Sequence, residues 1–180
     1  KCEISWITQS TPMGFGHALL SSKKFVGNET FLLYAGDAFF LKSNFLSDFI
    51  HNHEKSKDAI CSVLLERKKY LKGFGIAQVK KKNNENVIFN IEEKPKKPKS
   101  NLAVLPVYIF DPIVFDALKN TMHGYNNELQ VTDAIQTLID WNKKVLSFNY
   151  KEKSWFDIGI PMNYHKALSQ SFKISTSNKI

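Results

Sequence analysis

Two aspartates far apart in the chain each close a short apolar run. Asp37 follows Phe31-Leu32-Leu33-Tyr34-Ala35-Gly36, and Asp157 sits within Trp155-Phe156-Asp157-Ile158-Gly159-Ile160-Pro161. Two strand-end carboxylates are a donor set for a hard divalent ion such as Mg²⁺, with substrate phosphates completing the shell. Ligands of open α/β sheets collect at the carboxyl ends of the strands, so the pair points to phosphate chemistry. Two further clusters fit that theme. Gln9-Ser10-Thr11-Pro12-Met13-Gly14-Phe15-Gly16-His17-Ala18 joins a strand end to two glycines and a helix start. Glycines let backbone approach a ligand, a helix N-terminus offers free N–H groups, and Gln9 can donate and accept against a base edge. Glu92-Glu93-Lys94-Pro95 offers a lysine that can neutralise a phosphate as a point charge. Taken singly, each has a plainer account: a turn for the glycines, a turn or cap for each aspartate, a solvated loop for the charges before proline.

The elements that must position these residues alternate. Ile4–Thr8 reads as a strand and residues 17–25 as a helix. Thr30–Ala35 reads as a strand buried on both faces of a parallel sheet. Ser43 or Asn44 can cap a helix running to about His53, and Ala59–Leu65 is another buried strand. The run predicts a parallel, doubly wound sheet. Phe74–Lys80 and Val87–Glu92 read as a β-hairpin around Asn83-Asn84-Glu85-Asn86. Val104–Phe110 is a strand, Asp111-Pro112 starts a helix, Val131–Asn142 is a helix, Val145–Tyr150 a strand, and a last helix begins near Met162. Lys173–Ile180 reads as a frayed tail.

The chain has 180 residues, 43% of them hydrophobic, enough to build a core in one domain or a little more. The formal charge of +8 is carried almost wholly by lysine, with Arg67 the single arginine. Base readout and bidentate phosphate clamps favour arginine, so the lysines read as a solvated surface. Cys2 and Cys61 have no metal-type spacing and fit reduced thiols in the cytoplasm. No apolar run is long enough to span a membrane. His51 and His53 stand two apart, which places them on different faces of a helix.

Seven blocks in order give the sequence a family likeness. They are Gln9…Pro12-Met13-Gly14-Phe15-Gly16-His17-Ala18, Gly36-Asp37, Phe74-Gly75, Glu93-Lys94-Pro95, Ser100-Asn101-Leu102-Ala103-Val104, Leu129-Gln130-Val131-Thr132-Asp133-Ala134 and Trp155-Phe156-Asp157-Ile158-Gly159. From Ile4 to about Ala167 the chain resembles the sugar-1-phosphate nucleotidylyltransferases, in particular glucose-1-phosphate thymidylyl- and uridylyltransferases. The resemblance implies a Rossmann-like α/β fold with a mixed, mostly parallel sheet flanked by helices. It implies Mg²⁺-dependent nucleotidyl transfer from UTP or dTTP to a sugar 1-phosphate such as glucose 1-phosphate, with pyrophosphate leaving. Asp37 and Asp157 would hold the metal. Gln9 and Gly14 would contact the base, while Gly75, Glu93 and Val104 would line the sugar pocket and Lys94 would contact the sugar phosphate. Pro12, Gly36 and Trp155 complete the expected substrate-binding set, and Asp37, Asp157 and Lys94 form the expected catalytic set.

The family opens with a strand and a Gly-rich loop of the form Gly-x-Gly-Thr-Arg, and the strands that carry it precede the part of the fold that Lys1 begins. Residues 1–170 are therefore expected to be part of a nucleotidylyltransferase domain, and 171–180 a tail or the start of a further segment. A longer parent chain or a partner strand would supply the loop. The alternative is a catalytically inactive relative that binds sugar nucleotide or regulates. Leu105-Pro106 stands where the family often has a small residue and glycine, which leaves the sugar open. His17 favours UTP over dTTP. The partners expected are nucleoside triphosphate, sugar 1-phosphate and further copies of the chain in a homo-oligomer, with neither nucleic acid nor membrane among them.

Overall fold

The computed structural model describes residues 3–152 and 154–177. In chain order the elements are α1 (Phe15–Ser21), α2 (Lys23–Val26), β1 (Phe31–Tyr34), β2 (Ala38–Phe40), α3 (Phe45–Lys55), β3 (Ala59–Arg67), β4 (Ile76–Lys82), β5 (Glu85–Glu92), β6 (Leu102–Phe110), α4 (Val114–Asn120), α5 (Val131–Asp140), β7 (Lys144–Asn149), β8 (Trp155–Asp157) and α6 (Pro161–Ser177). Six strands form one sheet in the order β1-β6-β3-β7-β5-β4, with β4 also touching β6. β2 and β8 form a separate two-stranded ribbon.

The sheet is mixed, but its neighbours pair mainly antiparallel. Among the described residues β3–β7 is the parallel ladder, and β1, β3 and β4 all pair antiparallel to β6. The expected mostly parallel winding is replaced because β6 runs against its neighbours and fills the place between β1 and β3. The hairpin is as expected, and its connection is tighter than Asn83–Asn86. Asn83 and Asn84 take φ of 49° and 65° and form the two-residue link between β4 and β5. Asparagine tolerates that left-handed conformation, which the turn's twist requires.

Alternation along the central strands supplies two cores. Cys61, Val63 and Leu65 of β3 and Val104, Tyr108 and Phe110 of β6 face α4 and α5. The intervening Leu64, Leu105, Val107 and Ile109 face Phe45 and Phe49 of α3. A strand points successive side chains to opposite faces, so both faces must be apolar once helices cover both. Burial of a residue such as Phe49, fully inaccessible, stabilises by about 1.5–3 kcal/mol. Cys61 is a free buried thiol, which burial pushes well above the usual thiol range; Cys2 lies outside the described residues.

Four local expectations are corrected. Ile4–Thr8 forms no strand: no ladder partner reaches it among the described residues, and Ile4 and Trp6 are 73% and 92% exposed. Strand backbone needs such partners for its N–H and C=O groups. β1 is half-buried rather than buried on both faces, with Leu32 and Tyr34 outward, because among the described residues it is paired along one edge only. α3 begins without a side-chain cap from Asn44. α6 continues through Ser177, so its helix crosses the stretch expected to fray and the boundary expected at residue 170. Among the described residues no helix is long and apolar enough to cross a membrane.

Candidate functional site

The site begins with a split in the sheet. β1 pairs with residues 107–110 of β6, and β4 pairs with residues 102–103 along the same edge. The last bonds on either side are Ala35 N–H to Pro106 O at 3.0 Å and Val104 N–H to Gly75 O at 2.8 Å. Proline brings no N–H to a ladder, so Pro106 stands where the edge ceases to be paired. A cavity of about 400 Å³ opens there, walled by Ala35, Gly75, Val104, Pro106 and Tyr108 from the sheet. Phe15, Asp37, Ala38, Phe74, Glu93, Lys94, Thr132, Trp155 and Asp157 also line it.

The β2–β8 ribbon brings the two aspartates together. Ala38 stands opposite Asp157, and the Ile158 N–H donates to Asp37 O at 2.8 Å. Asp157 Oδ1 accepts the Gly159 N–H at 3.1 Å. A Cβ on Gly159 would lie 3.1 Å from Asp157 Oδ1 and 3.5 Å from Asp37 Oδ2. Both carboxylates therefore reach the same small volume beside Gly159. Paired carboxylate oxygens next to open cavity are donors suited to Mg²⁺, which keeps several positions for water and phosphate.

Glu93 and Lys94, which line the same cavity, sit in a strained turn. Lys94 has φ of 43°, a left-handed conformation that costs a non-glycine residue about 1–3 kcal/mol. Its ammonium lies 3.5 Å from Glu93 Oε1 and 4.6 Å from the centroid of the Tyr125 ring. The loop carrying Tyr125 is tied down by Gln130, whose Nε2 donates to Tyr125 O at 3.1 Å and to Glu128 Oε2 at 3.2 Å. Gly75 belongs where it is because a Cβ would stand 3.1 Å from Glu93 Oε2 and 3.2 Å from Thr132 Oγ1. Burial, then the nearby Glu93 charge, hold the Tyr108 phenol far above its ordinary range, so this cavity wall presents a neutral hydroxyl. The same two causes, in the same order, raise the Asp133 carboxyl.

Seven expected residues thus line one cavity: Asp37, Gly75, Glu93, Lys94, Val104, Trp155 and Asp157. Gly36 is in the turn between the lining residues Ala35 and Asp37. Gln9, Pro12 and Gly14 lie off the cavity wall, although Phe15 beside them is part of it. Gln9 Nε2 approaches Gly14 O at 3.2 Å and His17 Nδ1 at 2.8 Å, so the glutamine braces its own loop. Tyr108 is not among the expected site residues, and Pro106 enters the sequence reading only as a departure from the family pattern near the sugar. They follow Val104 at steps of two along β6, and strand periodicity from Val104 identifies both. Thr132 was present in the motif without a role.

Comparisons with known proteins bear on the family and the fold. The family model described as Nucleotidyl transferase matches residues 1–173. The chain is 32% identical over 157 residues to glucose-1-phosphate thymidylyltransferase of Streptomyces antibioticus, covering 87% of this chain and 42% of that protein. It is 30% identical over 166 residues to UTP–glucose-1-phosphate uridylyltransferase of Bacillus subtilis, covering 90% of this chain and 56% of that protein. The fold superposes on a crystal structure of UDP-glucose pyrophosphorylase complexed with UDP-glucose with a TM-score of 0.87 at 28% identity, covering 96% of this chain and 67% of that one. The chain spans about half the length of these curated relatives. Because the family model matches residues 1–173, nearly the whole of this chain, the chain belongs to the nucleotidyl transferase family.

Proposed function

We propose that the protein carrying this chain transfers a nucleotidyl group from UTP or dTTP to a sugar 1-phosphate, glucose 1-phosphate being the first candidate. The observation that carries the proposal is that Asp37, Asp157, Glu93 and Lys94 all line one cavity. Its chemistry is in-line displacement. A phosphate oxygen of the sugar 1-phosphate forms a bond to the α-phosphorus, the bond from that phosphorus to the bridging oxygen breaks, and the electron pair leaves with pyrophosphate. No protein nucleophile is needed, and positioning plus charge neutralisation supply the acceleration.

In this reading Asp37 and Asp157 hold Mg²⁺, which when bound neutralises charge on the nucleotide phosphates. Lys94 meets the phosphate of the sugar. Glu93, Gly75, Val104 and Trp155 surround the sugar, and Tyr108 offers it a neutral O–H. Gln9, Pro12, Gly14 and Gly36 belong to the nucleotide side. The relatives named for thymidylyl and uridylyl transfer support both bases.

The test is pyrophosphate release by the full-length protein with UTP or dTTP against a panel of sugar 1-phosphates, with Mg²⁺ and with excess EDTA. Formation of a nucleotide sugar that EDTA abolishes is expected. No product from any pair, with sugar nucleotide still bound in calorimetry, would replace this reading by that of a non-catalytic sugar-nucleotide-binding relative.

A further inference from the structure

Behind the cavity wall lies a charged pair that the proposed chemistry does not use. Glu66, near the end of β3, is 5% exposed. A buried carboxylate is tolerated where it is paired and hydrogen-bonded. Glu66 Oε2 accepts the indole N–H of Trp155 at 2.7 Å and lies 2.5 Å from the Lys68 ammonium. That ammonium is 5.1 Å from the Trp155 ring centroid and 5.2 Å from that of Phe74. The two rings meet edge to face with centroids 6.2 Å apart, and both line the cavity. Phe40 stacks against Trp155 at 6.0 Å.

These contacts converge on one part of the wall. The carboxylate binds the edge of Trp155, and the ammonium that neutralises it lies against Trp155 and Phe74 together. An exposed ion pair of ordinary kind contributes little and ties down nothing. This pair ties the end of β3 and the loop that follows it, which carries Lys68 and Phe74, to Trp155 of β8, 89 positions from Glu66. Trp155 precedes Asp157 by two residues, so both side chains project to the same side of β8.

We propose that Glu66 and Lys68 are positioning residues for the sugar side of the cavity, an inference that rests on the function proposed above. They act through Trp155 and Phe74. The bond to Glu66 fixes the rotation of the indole, and the shared cation holds the two rings in one mutual orientation. The sugar 1-phosphate then meets a preformed wall.

The test uses the full-length protein with Lys68→Met, which keeps the aliphatic stem, and Glu66→Gln, which keeps the shape. Each is expected to raise the KM for sugar 1-phosphate about tenfold while the KM for nucleoside triphosphate and kcat stay within about twofold. Because the pair acts as a unit, the double variant should be no worse than the poorer single one. An unchanged sugar KM, or a loss spread equally over both substrates, overturns the proposal. A second arm needs no turnover: the Trp155 indole N–H resonance, assigned with Trp155→Phe, should exchange with solvent at least tenfold faster in both variants. If the wild-type protein forms no nucleotide sugar, the functional reading fails by itself. Indole exchange then decides the inference, faster exchange supporting the clamp and unchanged exchange overturning it.

Discussion

Gly16 donates its backbone N–H to the carbonyl of Leu129 at 2.8 Å, and a Cβ at Gly16 would stand 2.7 Å from that same oxygen and 3.0 Å from Leu118 Cδ2. The glycine is there so that the start of α1 can lie against the segment leading into α5. Gly14 is under the same constraint from Glu128 and Leu129, with φ of 99° in addition. The pair of glycines therefore has a packing reason that stands without a ligand.

Gly16→Ala should consequently lower stability by about 1–3 kcal/mol, the usual cost of forcing a methyl into a filled site. Chemical denaturation of the wild type and the variant measures it. A variant as stable as the wild type would mean that the contact to Leu129 relaxes freely.

Much of this architecture is legible in the sequence because it is local. The Asn83-Asn84 link and its flanking alternation mark the β4–β5 hairpin, and the Trp155-Phe156-Asp157 run marks β8. What stays hidden depends on distant pairing. β2 is three residues long and is a strand only because β8 lies beside it. The split of the β6 edge between β1 and β4 joins segments that no local pattern connects. The Glu66–Trp155 bond is of the same kind, spanning 89 positions. Seven of the residues lining the cavity are named through the family resemblance, whereas the cavity that unites them is a product of register.

Tyr125 offers a measure of how the Lys94 ammonium is held. A cation over an exposed ring gains about 0.5–1 kcal/mol, which corresponds to roughly a two- to fivefold change in affinity. On the proposed function, Tyr125→Leu should raise the KM for sugar 1-phosphate by that factor, and Tyr125→Phe should restore it. Equal effects of both substitutions would show that the ring is not what holds Lys94.

His53 gives the fold a pH dependence of known sign. Its imidazole Nδ1 lies 2.8 Å from Ser62 Oγ. Burial, only partly offset by Glu54 and Asp111, holds its pKa below the ordinary value. The unfolded chain, with a histidine pKa near about 6.5, therefore takes up the proton first as the pH falls. The contribution is present above that value and is lost as the pH drops through the folded pKa. Thermal melts at pH 7.5 and pH 5.5 should show a smaller drop in Tm for His53→Gln than for the wild type. Equal drops would assign the pH dependence to other groups.

The carboxylate pair beside Gly159 is the part of the site with most at stake. Asp37 and Asp157 are placed by backbone pairing, Ala38 opposite Asp157 and Ile158 bonded to Asp37 O. Their side chains are thus free to bind without holding the ribbon together. Asp157→Asn keeps the size of the side chain and an oxygen that can still accept the Gly159 N–H, but removes the charge. If the pair holds Mg²⁺ on the nucleotide phosphates, the loss of several kcal/mol of charge stabilisation should lower kcat by about two to three orders of magnitude. Tm should change by a few degrees at most, and the weakened metal site should show as a raised Mg²⁺ requirement in Asp37→Asn as well. Turnover and Mg²⁺ dependence unchanged in both variants would remove the metal role from these two residues.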